Sequence, residues 1–170
     1  GAVDADRLKE VIDQFPVIEN IDMSELTVAL PAGALAGNET LKTVTLPQAA
    51  DIEAGTFKDC INLTSVAVPE CVNYIGDEAF SGCSALESLS FTGIVGVGDN
   101  AFAGCENLTT IIFNSPKEAA PARVRRKDAT PRVAGYSADA FKGLNPNCIV
   151  YLDEDEQVPD AKANYVTVRS

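Results

Sequence analysis

The sequence predicts a solenoid of the α/β class, dominated by short parallel strands and preceded by a helix that caps its N-terminal end. Three observations predict it. One template recurs through the middle of the chain at a step of 22 or 23 residues, and a fixed period of that size is the signature of stacked coils. Each copy runs into a stretch that alternates apolar and polar residues, the pattern of a half-buried strand. Ahead of the copies, residues 4–15 (DADRLKEVIDQF) place Leu8, Val11, Ile12 and Phe15 on one helix face. A chain of 170 residues, 46% apolar, with 9 Pro and 12 Gly, is long enough to bury a core without a staple and is neither collagenous nor wholly disordered.

The helix comes first. Asp4 and Asp6 stand near its start and Pro16 follows it, as helix boundaries require. Its polar face is mainly acidic, whereas a membrane-surface helix is basic there. Residues 26–31 (LTVALP) copy the strand that closes each later unit and are expected to form the first rung. Residues 30–47 (LPAGALAGNETLKTVTLP) are a diverged unit, with Leu35 and Leu41 standing 22 residues before Phe57 and Leu63. Residues 51–69 (DIEAGTFKDCINLTSVAVP), 74–91 (YIGDEAFSGCSALESLSF) and 96–113 (GVGDNAFAGCENLTTIIF) share the template I/V-G-x-x-A-F-x-G-C-x-x-L-x-x-V/I/L-x-V/L/F. Phe57, Phe80 and Phe102 are 23 and 22 residues apart, and Leu63, Leu86 and Leu108 keep the same steps. A last unit, 140–152 (AFKGLNPNCIVYL), restores the Ala-Phe pair at Phe141, 39 residues after Phe102. The displacement marks an insertion.

Stacking these units pairs their strands in parallel and aligns each column. Val44, Val66, Leu89 and Ile111 should run as one apolar ladder, and Leu46, Val68, Phe91 and Phe113 as a second. The A-F-x-G-C turn supplies the opposite wall: Phe points in, Ala permits close packing, and Gly lets the chain turn. One unit of about 22 residues cannot close a core alone, so stability has to come from the interfaces between neighbours. Cys60, Cys83 and Cys105 share a column, which reads as buried core, since free Cys packs as a small hydrophobe. A three-thiolate metal site is the alternative, but stacked units about 4.8 Å apart would set the ligands in a line, not a tetrahedron. Cys71 and Cys148 fall outside the column, and five cysteines leave at least one thiol unpaired in a monomer.

The string IGDEAFSGCSALESL, with the preceding strand and proline in LTSVAVPECVNY, resembles the repeat of BspA-like leucine-rich repeat proteins. The resemblance covers residues 30–116 and resumes over 137–152. The sequence departs from the family pattern at Leu35 (for Phe), Asn38 (for Cys), Ala54-Gly55 and Leu144 (for Cys), and through the insertion. What the resemblance implies is a right-handed, curved leucine-rich-repeat solenoid, of the kind found on exported or surface-attached bacterial proteins that engage host or neighbouring-cell molecules. It implies no catalytic residue. The expected organisation is an N-terminal cap over 1–29, the solenoid over 30–152 with an insertion at 117–134, and an acidic tail over 153–170.

The insertion (KEAAPARVRRKDATPRVA) has no apolar period, and Pro121 and Pro131 oppose regular structure, so it reads as a long surface segment. From Lys117 to Arg132 six basic residues face two acids, a local balance of +4 that leaves −16 for the rest of the chain. Arg123, Arg125, Arg126, Lys127 and Arg132 are the candidate partner-binding residues, a cationic contact for an acidic glycan or protein or for the acidic face of the same molecule. An exposed insertion without a role is the plainer reading. In the tail, Asp153-Glu-Asp-Glu156 reads as a solvated charge run rather than a calcium loop, since it lacks the spacing that bends a chain around the ion. Residues 165–168 (YVTV) have strand propensity and are expected to close the C-terminal face.

Composition narrows the function. The chain has no histidine, which removes Ser-His-Asp and Cys-His catalysis, His-ligated zinc and an imidazole switch. No catalytic residue, metal or cofactor is expected. A net charge of −12 opposes a general nucleic-acid binder. There is neither an apolar run of about 18 residues nor a basic-then-apolar leader, so an exported protein would have lost its leader before Gly1. The outward strand positions, Thr43, Ser65, Ser88 and Thr110 in one column and Thr45, Ala67, Ser90 and Ile112 in the next, are small and lack the Trp, Tyr and Arg of binding hot spots. The expected function is a non-catalytic, extracellular or cell-surface binding or adhesion module, with a structural spacer in a larger surface protein as the alternative.

Overall fold

The computed structural model describes residues 5–15, 17–49, 51–92, 96–114, 135–137 and 139–151. One helix, α1 (Ala5–Asp13), precedes ten short strands: β1 (Asn20–Asp22), β2 (Thr43–Thr45), β3 (Asp51–Ile52), β4 (Ser65–Ala67), β5 (Tyr74–Ile75), β6 (Ser88–Thr92), β7 (Gly96–Val97), β8 (Thr110–Asn114), β9 (Gly135–Tyr136) and β10 (Ile149–Tyr151). The strands form two stacks. One runs β1-β2-β4 and continues, with β4 beside β6, as β6-β8-β10; the other runs β3-β5-β7-β9. Every pair is parallel, because each coil returns to the same stack in the same direction. This is a β-solenoid.

The predicted ladders are present in part, with Val66 and Val68 only half-buried where the first sheet ends at β4. Val44 pairs with Val66 and Leu89 with Ile111, and the column extends to Ile21 at one end and Val150 at the other. Phe91 pairs with Phe113, their rings stacked with centroids 5.3 Å apart. On the turn side Phe57, Phe80, Phe102 and Phe141 stack in succession at 5.1, 5.8 and 5.9 Å, and the first three are wholly buried. Fully burying one such ring is worth roughly 1.5–3 kcal/mol, and the stacked geometry adds to it.

The turn is the invariant part of the coil. Twelve residues join β3 to β4, β5 to β6, β7 to β8 and β9 to β10 alike. Two positions in it take the left-handed backbone: Gly33, Gly55, Glu78 and Asn100 fill one column, and Gly37, Asp59, Gly82, Gly104 and Gly143 fill the other. A third glycine column serves contact, not conformation. A Cβ on Gly76 would lie 2.5 Å from the Ala54 nitrogen of the preceding coil, so the I-G pair of the template marks where successive backbones touch. Turn N–H groups donate to the next coil: Gly55, Phe57 and Asp59 to the carbonyls of Asp77, Ala79 and Ser81, then Glu78, Phe80 and Gly82 to those of Asp99, Ala101 and Ala103. In the other connection, from the first stack to the second, five residues follow β2, six follow β4, three follow β6 and twenty follow β8. The insertion therefore falls wholly on this side.

Two expectations at the N-terminal end are corrected. The first rung is not 26–31 but β1, whose residues pair with β2 in register, Ile21 opposite Val44. Leu30, which stands 22 residues before Ile52, lines a crevice with it on the second-stack side; the LTVALP string imitates a strand but occupies a crossing. The helix forms, yet its apolar face is not buried as a unit. Ile12 joins the core, whereas Val11 and Phe15 are 50% and 57% exposed. Periodicity states which face is apolar, not that another element meets it. The side chain of Leu8, the insertion and the tail, including Asp153-Glu-Asp-Glu156 and residues 165–168, lie outside the described residues.

Candidate binding surface

Among the described residues no buried side-chain nitrogen or oxygen lacks a hydrogen-bond partner, and no group of His, Cys, Asp or Glu is arranged to hold a metal. A crevice between Leu30, Leu46, Ile52, Thr56 and Val72 has room for about one water, whereas small-molecule sites enclose roughly 300 Å³ or more. Thr56 is the one buried polar residue among those described, and its hydroxyl donates to the Glu53 carbonyl at 2.7 Å.

The cysteine column is part of the stacking. The thiols of Cys60, Cys83 and Cys105 donate to the carbonyls of Leu35, Phe57 and Phe80 in the preceding coil at 3.0, 3.1 and 3.0 Å. Burial pushes the Cys60 thiol up to about 11, that of Cys105 up to about 12 and that of Cys83 higher still, so these sulfurs stay protonated and inert. Cys148 is buried too and raised by burial to about 11. Its N–H bonds to the carbonyl three residues back, as those of Leu63, Leu86 and Leu108 do, so it fills the leucine position of the last coil. Sequence spacing missed this because the last coil does not keep one offset throughout. Cys71 is exposed.

Function is left to the surface. The predicted outward columns do face solvent: Thr43, Ser65, Ala67, Ser88 and Ser90 are exposed, and Thr45, Thr110 and Ile112 are half-buried. The register extends the first column to Asn20 and Ile149 and the second to Asp22 and Tyr151. Lys42 and Lys58, the only bases between residues 30 and 116, bridge adjacent coils, Lys42 to Glu19 at 3.0 Å and Lys58 to Glu78. The Glu78 carboxylate holds the Lys58 ammonium above its usual range, chiefly by hydrogen bonding and then by charge. Spacings of 23 and 20 residues, about one unit, were the available signal for these pairs. The remaining acids, Asp59, Asp77, Glu87, Asp99 and Glu106 among them, stand on exposed turns, so the surface is anionic. The five predicted basic contact residues, Arg123, Arg125, Arg126, Lys127 and Arg132, lie outside the described residues.

A leucine-rich repeat protein from Bacteroides ovatus shares the fold, with a TM-score of 0.62 at 20% identity over 89% of this chain and 37% of that one. The pneumococcal vaccine antigen PcpA follows, with a TM-score of 0.54 at 14% identity over 91% of this chain and 42% of its own. The chain thus spans less than half the length of either structure. No curated protein matches it in sequence. The model of the BspA type leucine-rich repeat region matches residues 14–121 in six copies, starting upstream of residue 30 and so taking in the coil that begins at β1. The chain belongs to the BspA-type leucine-rich repeat family.

Proposed function

We propose that this protein is a non-catalytic binding module, exported or held at a cell surface, in which the solenoid is a rigid scaffold and the segment 117–134 carries the contact. The observation behind this reading is that the described coils spend their side chains on one another. Their buried groups are apolar or satisfied, and the outward positions of the central strands are mostly short hydroxyl and alanine side chains, poor in the aromatic and Arg anchors of strong interfaces. The cationic residues Arg123, Arg125, Arg126, Lys127 and Arg132 are the concentrated exception on an otherwise anionic chain, and they suit an acidic glycan or an acidic protein. The family and the likeness to a vaccine antigen support the location. Helix α1, through Ile12, serves as the N-terminal cap that a solenoid needs.

The test is a protein and glycan binding screen with the intact chain and a form lacking residues 117–132. Salt-sensitive capture by the intact chain alone is the expected result; equal capture by both forms, or none at any ionic strength, overturns the role given to the segment. The same small-residue exterior also favours a spacer within a longer surface protein. That reading predicts that neither form binds and that shortening the solenoid by one coil in the parent protein weakens its function without altering its ligand.

A further inference from the structure

The connection lengths single out one interface. Between the stacks the chain crosses in three to six residues until β8, where twenty residues, 115–134, intervene before β9. Everything after them keeps the solenoid's form. β9 continues the second stack with Gly135 opposite Gly96, β10 continues the first with Val150 opposite Ile111, and the twelve-residue turn between them is intact. The segment 135–151 therefore sits in place through contacts, while its covalent link is the longest in the stack.

Those contacts are extensive. The Phe141 ring stacks on Phe102 and meets the edge of Phe113 at 6.2 Å. Ala140, Cys148 and Val150 are buried. Backbone bonds run from Ser137 to Val97, from Asn100 to Asp139, from Gly104 to Gly143 and from Ile149 to Thr109. Asn145 Nδ2 donates to the Glu106 carbonyl at 2.6 Å, and the Ser137 hydroxyl donates to Asp99. Alternate N–H groups bridge each preceding pair of turns from Gly33 onward, and among the described residues Asn100 and Gly104 do so at this interface, both reaching acceptors 39 residues on. The earlier acceptors lie one residue short of the strand offset, whereas these two lie at it, while Phe141 and Gly143 keep the 39-residue step of the strands.

We infer that the face presented by β7, β8, Phe102 and Phe113 is a docking site for the β9–turn–β10 segment as a separable unit, and that it accepts this segment from a second copy of the chain as well as from its own. The twenty residues between β8 and β9 keep the segment close to this face without adding to its contacts, and closing a longer loop costs only logarithmically more. The same contacts form whether the segment arrives in cis or in trans, which is the condition for exchange of an element between copies.

The experiment begins from the full chain with a sequence-specific protease site in place of residues 123–127. After complete cleavage, size exclusion at micromolar concentration should show both pieces eluting together at the intact volume with an unchanged circular dichroism spectrum. Cleaved Phe141→Ala, or cleaved Asn145→Ala if the first variant fails to fold uncut, should release the C-terminal piece at a concentration where the parent retains it. Two cleaved pools, one isotopically labelled, diluted together and reconcentrated, should yield mixed complexes by native mass spectrometry. Separation of the parent's pieces upon cleavage, or pieces that part on dilution and do not recombine across pools, overturns the inference.

Discussion

Each coil has two connections, and they behave oppositely. On the turn side twelve residues recur without exception and carry the Phe stack, the thiol column and the left-handed positions. On the crossing side the length runs from three to twenty. The difference shows where stacking enforces register. A turn residue meets its counterpart in the next coil directly, so one added residue would displace every column; a crossing loop has only to bring the chain from one stack to the other, so additions there cost little.

The largest effect that breaks this contrast should come from the centre of the stack. Phe80→Ala removes a ring packed between Phe57 and Phe102 and should destabilise by about 3–5 kcal/mol, read as a fall in the urea midpoint; a loss under about 1 kcal/mol would mean that the column does not organise the fold. Next is pH. A thiol raised from an ordinary value of 9.0 to about 11 or 12 in the folded chain keeps its proton when the unfolded thiol loses it. Stability is then intact below pH 9 and falls as pH rises above it, by about 1 kcal/mol per buried thiol at pH 10. Urea titrations at pH 8 and pH 10 measure the drop, and Cys83→Ala should lessen it.

Gly76→Ala forces a Cβ into the Ala54 backbone and should cost about 1–3 kcal/mol by the same measurement. The smallest effect belongs to the crossing side. Removing residues 117–132 leaves four of the twenty, within the three-to-six range of the other crossings, and should leave stability unchanged or raise it by about 1 kcal/mol. A loss larger than that would show that the crossing is part of the structure.

What was legible in the sequence follows the same division. The columns at Phe57, Phe80 and Phe102 and at Val44, Val66, Leu89 and Ile111 could be read because each buried position repeats its residue type and its partner is the same position one unit away. The first coil could not, since LTVALP matches the strand pattern by composition while the pairing belongs to Asn20–Asp22, and only contact with β2 distinguishes the two. The candidate site was legible in part: the small outward columns followed from alternation, but the bridges from Lys42 to Glu19 and from Lys58 to Glu78 depend on which acid the stacking brings near, which charge counting does not reveal. The basic cluster was visible by composition alone, because no repeated neighbour constrains it.

All five cysteines are free, four of them sealed in the interior. The fold therefore owes nothing to oxidative cross-linking. Such a chain can mature without an oxidant or an isomerase and keep its shape on either side of a membrane that separates reducing from oxidising surroundings.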